Sequence, residues 1–376
     1  MSHAMKLISL FTLALMVLLA PQARAEQGIT PNSIVIGRSA GMTGPIASRM
    51  KPATEAMDAY FDHINRKGGV YGRKIKFINL DDGNDPKRAA ENARKLVDDA
   101  DVFALFMTSG TPQTLAVMPT VLEREVPLIG TSSGADSLRA PNKYLFHLKA
   151  SYGDEFFKVA RHMKTIGVTR VAIVYSDDPS GKEGFQLAQN ALQQHGITPL
   201  AVATLKGDNS KAVVDQVMKA GPQAIILPAL AAPAATFYKE FAKVPNRPQV
   251  FAWSIVSVEN IYKEVGADIF GLIVAQVFPS PVNSTMGMVR EYAAIMKAAN
   301  LPEGGYPGLE GYLSARILVE GLVRAGKEPT RSKLLAGLQT MKQYDIGGDF
   351  VTFNDRNVGR NFVELTLVGR DGRFLR

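Results

Sequence analysis

The chain has 376 residues, 46% apolar and 21% charged, a balance that excludes intrinsic disorder and provides core material for about two domains. Its net charge of +8 carries no Lys/Arg-rich run, which argues against a protein that tracks a nucleic-acid backbone. The absence of cysteine excludes disulfides, a thiolate nucleophile, Cys-ligated zinc and a lipidated N-terminal cysteine.

Residues 1–25 read as a secretory signal: a cation at Lys6, an apolar run over 7–20, the helix breaker Pro21, then small residues at Ala23 and Ala25. Cleavage after Ala25 removes Lys6 and Arg24 and leaves +6. The apolar run is 14 residues long, short of the roughly 20 that cross a bilayer. An exported, unanchored protein of a bacterial periplasm is expected.

From residue 30 onward, short β-branched runs alternate with longer segments of helical period, the pattern of βαβ units and parallel sheets. Strands are expected at 34–37, 75–80, 102–107, 127–130, 170–175, 200–205, 224–227 and 250–253. A helix over 46–66 shows a core stripe at Ala53, Ala56, Met57, Tyr60, Phe61 and Ile64 and stops at Gly68 and Gly69. Asp85 as N-cap with Pro86 opens a second helix, and Thr111 with Pro112 is expected to open a third in the same way. Both starts follow strand ends, where open parallel sheets bind ligands and helix N-termini offer free N–H groups. No flexible linker separates the lobes, so several short crossings are expected.

Gly130-Thr131-Ser132-Ser133-Gly134 matches the nucleophile-elbow pattern of α/β-hydrolases and follows a strand as that motif requires. The only later histidines, His147, His162 and His195, lie in an apolar run or on expected helices, so Ser132 lacks a base. Ser132 and Ser133 remain either hydrogen-bonding groups at a strand end or plain turn residues. Asp81, Asp82 and Asp85 lack the register and downstream Glu of a calcium loop, and the histidines are never closely spaced on one element. Neither phosphate-loop nor dinucleotide fingerprints occur. No catalytic constellation, metal or cofactor is expected.

The chain does carry an ordered series: Ile34-Val35-Ile36-Gly37, Met42-Thr43-Gly44-Pro45, and Ile64-Asn65-Arg66-Lys67-Gly68-Gly69-Val70-Tyr71-Gly72-Arg73-Lys74-Ile75. Asp81-Asp82, Asp85-Pro86, Val171-Ala172-Ile173-Val174-Tyr175 and Gly181-Lys182-Glu183-Gly184 follow. This order resembles the leucine/isoleucine/valine-binding protein family, the type I periplasmic binding proteins of ABC importers. The resemblance implies two α/β lobes with Rossmann-like parallel sheets joined by a three-crossing hinge. Lobe one then takes residues 26–150 and 277–355, and lobe two 151–276 and 356–376, including a last strand at 362–368.

By the same resemblance, a ligand carboxylate is held by hydroxyls and N–H groups at Ser109, Gly110, Thr111, Ser132, Ser133 and Gly134. Tyr152 either lines the mouth of the cleft or packs the hinge. Tyr175, Ser180, Leu230 and Trp253 would give the second lobe its shape. The departures are Gly134 for a usual threonine, Ser180 and Leu230 for two tyrosines, and Ser254 for the acid that pairs a ligand ammonium, with Glu259 or Asp178 as substitutes. The expected function is non-enzymatic: a monomer captures a small amino-acid-like or carboxylate-bearing solute and passes it to membrane permease subunits. The alternatives are an exported sensor feeding a signalling receptor, or a hydrolase using Ser132.

Overall fold

The computed structural model describes residues 26–44 and 46–375. The expected signal segment and Pro45 lie outside the described residues.

The first sheet contains β1 (Ser33–Ala40), β2 (Lys74–Asp81), β3 (Ala104–Thr108), β4 (Leu128–Thr131) and β5 (Leu145–Phe146) in the order β2-β1-β3-β4-β5. Every pairing is parallel, and β3 and β4 are buried along their whole length, as strands covered on both faces must be. The connecting helices are α1 (Ala47–Arg66), α2 (Pro86–Arg94) and α3 (Thr111–Glu123).

The second sheet is built from β6 (Val171–Ser176), β7 (Ala201–Leu205), β8 (Ala224–Leu227), β9 (Gln249–Ala252), β10 (Ile273–Gln276) and β13 (Glu364–Leu367). Its order is β13-β10-β9-β8-β6-β7, and all pairings are parallel except that of β13 with β10. Its helices are α4 (Tyr152–Thr165), α5 (Pro179–Gln194), α6 (Ser210–Lys219), α7 (Ala231–Phe241) and α8 (Val258–Val265).

After β10 the chain returns to the first sheet through α9 (Gly287–Ala298), α10 (Gly305–Ala325) and α11 (Arg331–Gln339). A small hairpin of β11 (Tyr344–Asp345) and β12 (Phe350–Val351) follows, and then β13 completes the second sheet. The chain therefore passes between the sheets three times. The long helices α1 and α10 cross closely because Gly311 has no side chain: a Cβ there would sit 2.2 Å from the Ala53 carbonyl oxygen.

Each of the eight expected strands has a counterpart. The two-residue strands and β10, whose four residues follow Gly271 and Leu272 without polar alternation, were not anticipated from pattern. Asp85 caps α2 as expected, accepting from Arg88 N–H at 2.8 Å. The start of α3 differs. Gly110, at φ 77°, is the N-cap, Thr111 is already helical, and no side chain caps the turn. The left-handed backbone suits glycine, and the Thr111 hydroxyl turns instead to Ser133 Oγ at 2.7 Å.

Candidate functional site

Because β1, β3 and β4 run parallel, as do β6, β8 and β9, the carboxyl ends of each set lie along one sheet edge. The segments that follow these ends meet where the two lobes touch. Arg49, in the first turn of α1, donates through Nη2 to Glu310 Oε2 of α10 at 2.5 Å and through Nη1 to the Ser254 carbonyl beyond β9 at 3.4 Å. A side chain of the first lobe thus reaches the second.

Lys149, just past β5, donates to Glu310 Oε1 at 2.7 Å and to the Ser132 carbonyl at 2.5 Å. Glu155, in α4, accepts from Ser254 N–H at 2.6 Å and from Ser254 Oγ at 2.8 Å. A second tie between lobes runs from Ser137 N–H to Glu183 Oε1 at 3.2 Å.

Lys149, Glu155 and Glu310 are all buried, so their charges are set by their partners rather than by water. Burial opposes ionisation of Glu310, but Lys149 and Arg49, both bonded to it, outweigh burial and hold its carboxyl below the ordinary range. Burial pushes Lys149 down, against the attraction of Glu310. Glu155 meets neutral donors and only distant cations, and burial drives it up to about 7. Two carboxyl groups of one cluster therefore differ in charge by environment.

Behind this cluster Tyr152, Phe156 and Trp253 pack together, with ring centroids 4.9 Å apart for Tyr152 and Trp253 and 5.8 Å for Phe156 and Trp253. Trp253 is fully buried and donates from Nε1 to the Ala229 carbonyl at 3.0 Å, so it backs the junction instead of facing solvent. Gly134 lies against Tyr152, where a Cβ would come within 2.8 Å of the ring. Glycine at position 134 therefore leaves room for the tyrosine ring.

The structure brings Thr111, Ser132, Ser133, Gly134, Tyr152, Trp253 and Ser254 to this junction. Ser109 is fully buried, and its Oγ accepts from Gly41 N–H at 2.8 Å, a backbone contact that ties the β1–α1 loop to the end of β3. Ser133 Oγ, besides its bond to Thr111, accepts from Ala135 N–H at 3.1 Å. Ser180, in the first turn of α5, and Leu230, directly before α7, share the sheet edge but make none of the junction's hydrogen bonds. Asp178 accepts from Gly181 N–H at 3.0 Å and from Ser176 Oγ, and exposed Glu259 pairs with Lys263 at 2.7 Å. Tyr175 stacks on Phe185 within the second lobe.

The described histidines make their contacts away from Ser132: His147 at the Leu138 carbonyl, His162 at Phe251, His195 at Phe157 and His63 at Tyr60. Among the described residues no cluster of three or more potential metal ligands occurs.

Sequence reasoning overlooked Arg49, Lys149, Glu155 and Glu310. The signal was available. Arg49 precedes Ala53 and Ala56 at helical spacing in the α1 stripe, Glu155 falls between Tyr152 and Phe156 in the buried stripe of α4, Glu310 lies inside the buried run of α10, and Lys149 interrupts an apolar segment. A charge at a core position is the informative exception to burial statistics.

A family model described as "Periplasmic binding protein" matches residues 33–369. The chain belongs to that family. Leu/Ile/Val-binding protein homolog 3 of Brucella melitensis is 20% identical over 326 residues, covering 86% of this chain and 87% of the relative. The fold is similar to that of a substrate-binding periplasmic protein from Ralstonia solanacearum, with 29% identity and a TM-score of 0.82 over 91% of this chain and 99% of that one. A branched-chain amino acid ABC transporter protein from Thermus thermophilus, solved with bound valine, superposes with a TM-score of 0.82 at 19% identity, covering 92% and 96% of the two chains. The two-lobed α/β architecture is thus the type I periplasmic binding protein fold. Family members are periplasmic solute-binding proteins.

Proposed function

We propose that the protein is the solute receptor of an ABC importer, capturing a small amino-acid-like or carboxylate-bearing solute between its lobes and passing it to membrane permease subunits. The observation that carries this reading is the junction itself. Polar groups following the strand ends of both sheets meet there, and Arg49 and Ser137 of the first lobe touch Ser254 and Glu183 of the second. Contacts that exist only when the lobes meet favour the closed arrangement, and a solute lying between them adds its own.

In this reading the lobes divide at residues 150, 276 and 355, and the three crossings act as the hinge. Cleavage after Ala25 delivers the protein to the periplasm as a monomer. Ser132, Ser133, Gly134 and Thr111 form the polar head of the site, with Tyr152 against it. In this reading the protein is not an enzyme: its relatives bear the names of binding proteins, and the described histidines make their contacts away from Ser132.

The test is to unfold and refold the purified protein so that any co-purified solute is lost, then to follow its melting temperature with amino acids, aromatic acids and short dicarboxylates. At a concentration 100 times the dissociation constant, a solute stabilises by about 2.7 kcal/mol, which a melting curve resolves. Failure of every member to raise the melting temperature at millimolar concentration would refute the reading. Small-angle scattering at saturation should show a smaller radius of gyration.

A further inference from the structure

We propose that Arg49 contacts the solute and selects an organic acid that carries no ammonium group beside its carboxylate. The inference rests on the receptor reading and narrows its solute class.

Arg49 spans the junction, yet its guanidinium is incompletely used. Nη2 is bound to Glu310, the Nη1 contact with the Ser254 carbonyl is long at 3.4 Å, and Nε is buried without a hydrogen-bond partner. A buried charged donor left unpaired is costly, and a carboxylate is the acceptor that matches a guanidinium best. A solute lying between α1 and the segment after β9 would displace the weak Ser254 contact and meet these donors.

The carboxyl groups nearby are already engaged. Glu310 accepts from Arg49 and Lys149, and Glu155 takes both the N–H and the hydroxyl of Ser254. Ser254 holds the place where the family resemblance puts an ammonium-pairing acid, and its own donors are spent on Glu155. Arg49 and Lys149 therefore face one ionised carboxylate, Glu310, and one that burial drives toward neutrality, Glu155. Around Arg49 such a junction attracts an anion, and the two carboxyl groups bonded there, Glu310 and Glu155, already have their partners.

Calorimetric titration of matched pairs tests this: leucine against 4-methylpentanoate, phenylalanine against 3-phenylpropanoate, and glutamate against glutarate, each beside the primary amide of the des-amino acid. The tightest binder is expected to be a des-amino acid. Arg49→Gln should raise its dissociation constant at least tenfold, the loss of one hydrogen bond to a charged group, while changing the affinity of its neutral amide less than threefold. Arg49→Lys should retain part of the preference for carboxylate over amide.

A purely structural role for Arg49 would weaken acid and amide alike, so an unchanged ratio overturns the proposal even if the variant is less stable. Tighter binding of the amino acid in every pair overturns the selection while leaving the receptor reading intact. Absence of binding by every probe, together with a negative melting screen, would remove both.

Discussion

Glu155 offers a quantitative check on the junction. Replacing it with glutamine keeps an acceptor for the Ser254 N–H and a polar group beside Ser254 Oγ, but removes the ionisable proton. Burial pushes the Glu155 carboxyl up from the ordinary glutamate value of 4.5 to about 7. Between those two values the folded protein holds a proton that the unfolded chain has released, so stability falls as pH rises through the window and levels off above it. A separation of this size corresponds to about 3 kcal/mol at 1.36 kcal/mol per pH unit. With an unfolding entropy of roughly 2 cal/mol/K per residue, a chain of this length shifts its melting temperature by about 4–5 °C for that energy. Melting curves of parent and Glu155→Gln, recorded in parallel from about pH 4.5 to 8, remove from the difference the titrations of groups not coupled to Glu155. The variant should gain about 4–5 °C relative to the parent across the range. A constant difference would mean that Glu155 ionises as it does in the unfolded chain. A difference of opposite sign would mean that Lys149 and Arg49 outweigh burial at this position.

Lys149→Met leaves one Glu310 oxygen and the Ser132 carbonyl without their donor and should cost about 3–5 kcal/mol, with Lys149→Met/Glu310→Gln recovering part of it in chemical denaturation. Gly311→Ala places a methyl 2.2 Å from the Ala53 carbonyl oxygen, so α10 must shift from α1 at a cost of about 1–3 kcal/mol, measurable in the same denaturation series. Ser109→Ala strands the buried Gly41 N–H and should cost about 1–3 kcal/mol, lowering the unliganded melting temperature by about 1–4 °C. A melting temperature equal to the parent's would show that this hydroxyl is not needed to hold the β1–α1 loop.

The fold was legible where periodicity and punctuation agreed. The run from Ala53 to Ile64 announced α1, and Asp85 with Pro86 announced α2, because these signals act within a single turn. At α3 the same reasoning misplaced the cap by one residue. Thr111 and Pro112 resemble a start signal, but the left-handed geometry of Gly110 takes the cap position, and Ser133, 22 residues away, claims the threonine hydroxyl. β10 escaped notice because four residues buried between β9 and β13 need no alternation of polarity. The serines before Gly134 were visible as a motif, whereas the Arg49–Glu310–Lys149 network joins residues far apart in the chain. Each of those charges was visible alone as an oddity in an apolar stripe. Their partnership is a property of the assembled fold.

The threefold passage of the chain between sheets also orders the protein's assembly in time. The first sheet is complete by Phe146, but the helix that packs against α1 begins at Gly305. The second sheet gains its edge strand only at Glu364–Leu367. In a nascent chain neither lobe has its full set of packed elements until the distal segments have emerged. For a protein proposed to cross a membrane before it folds, this interleaving is a safeguard, since it delays compaction of the leading half and keeps the polypeptide threadable until its final stretch is available.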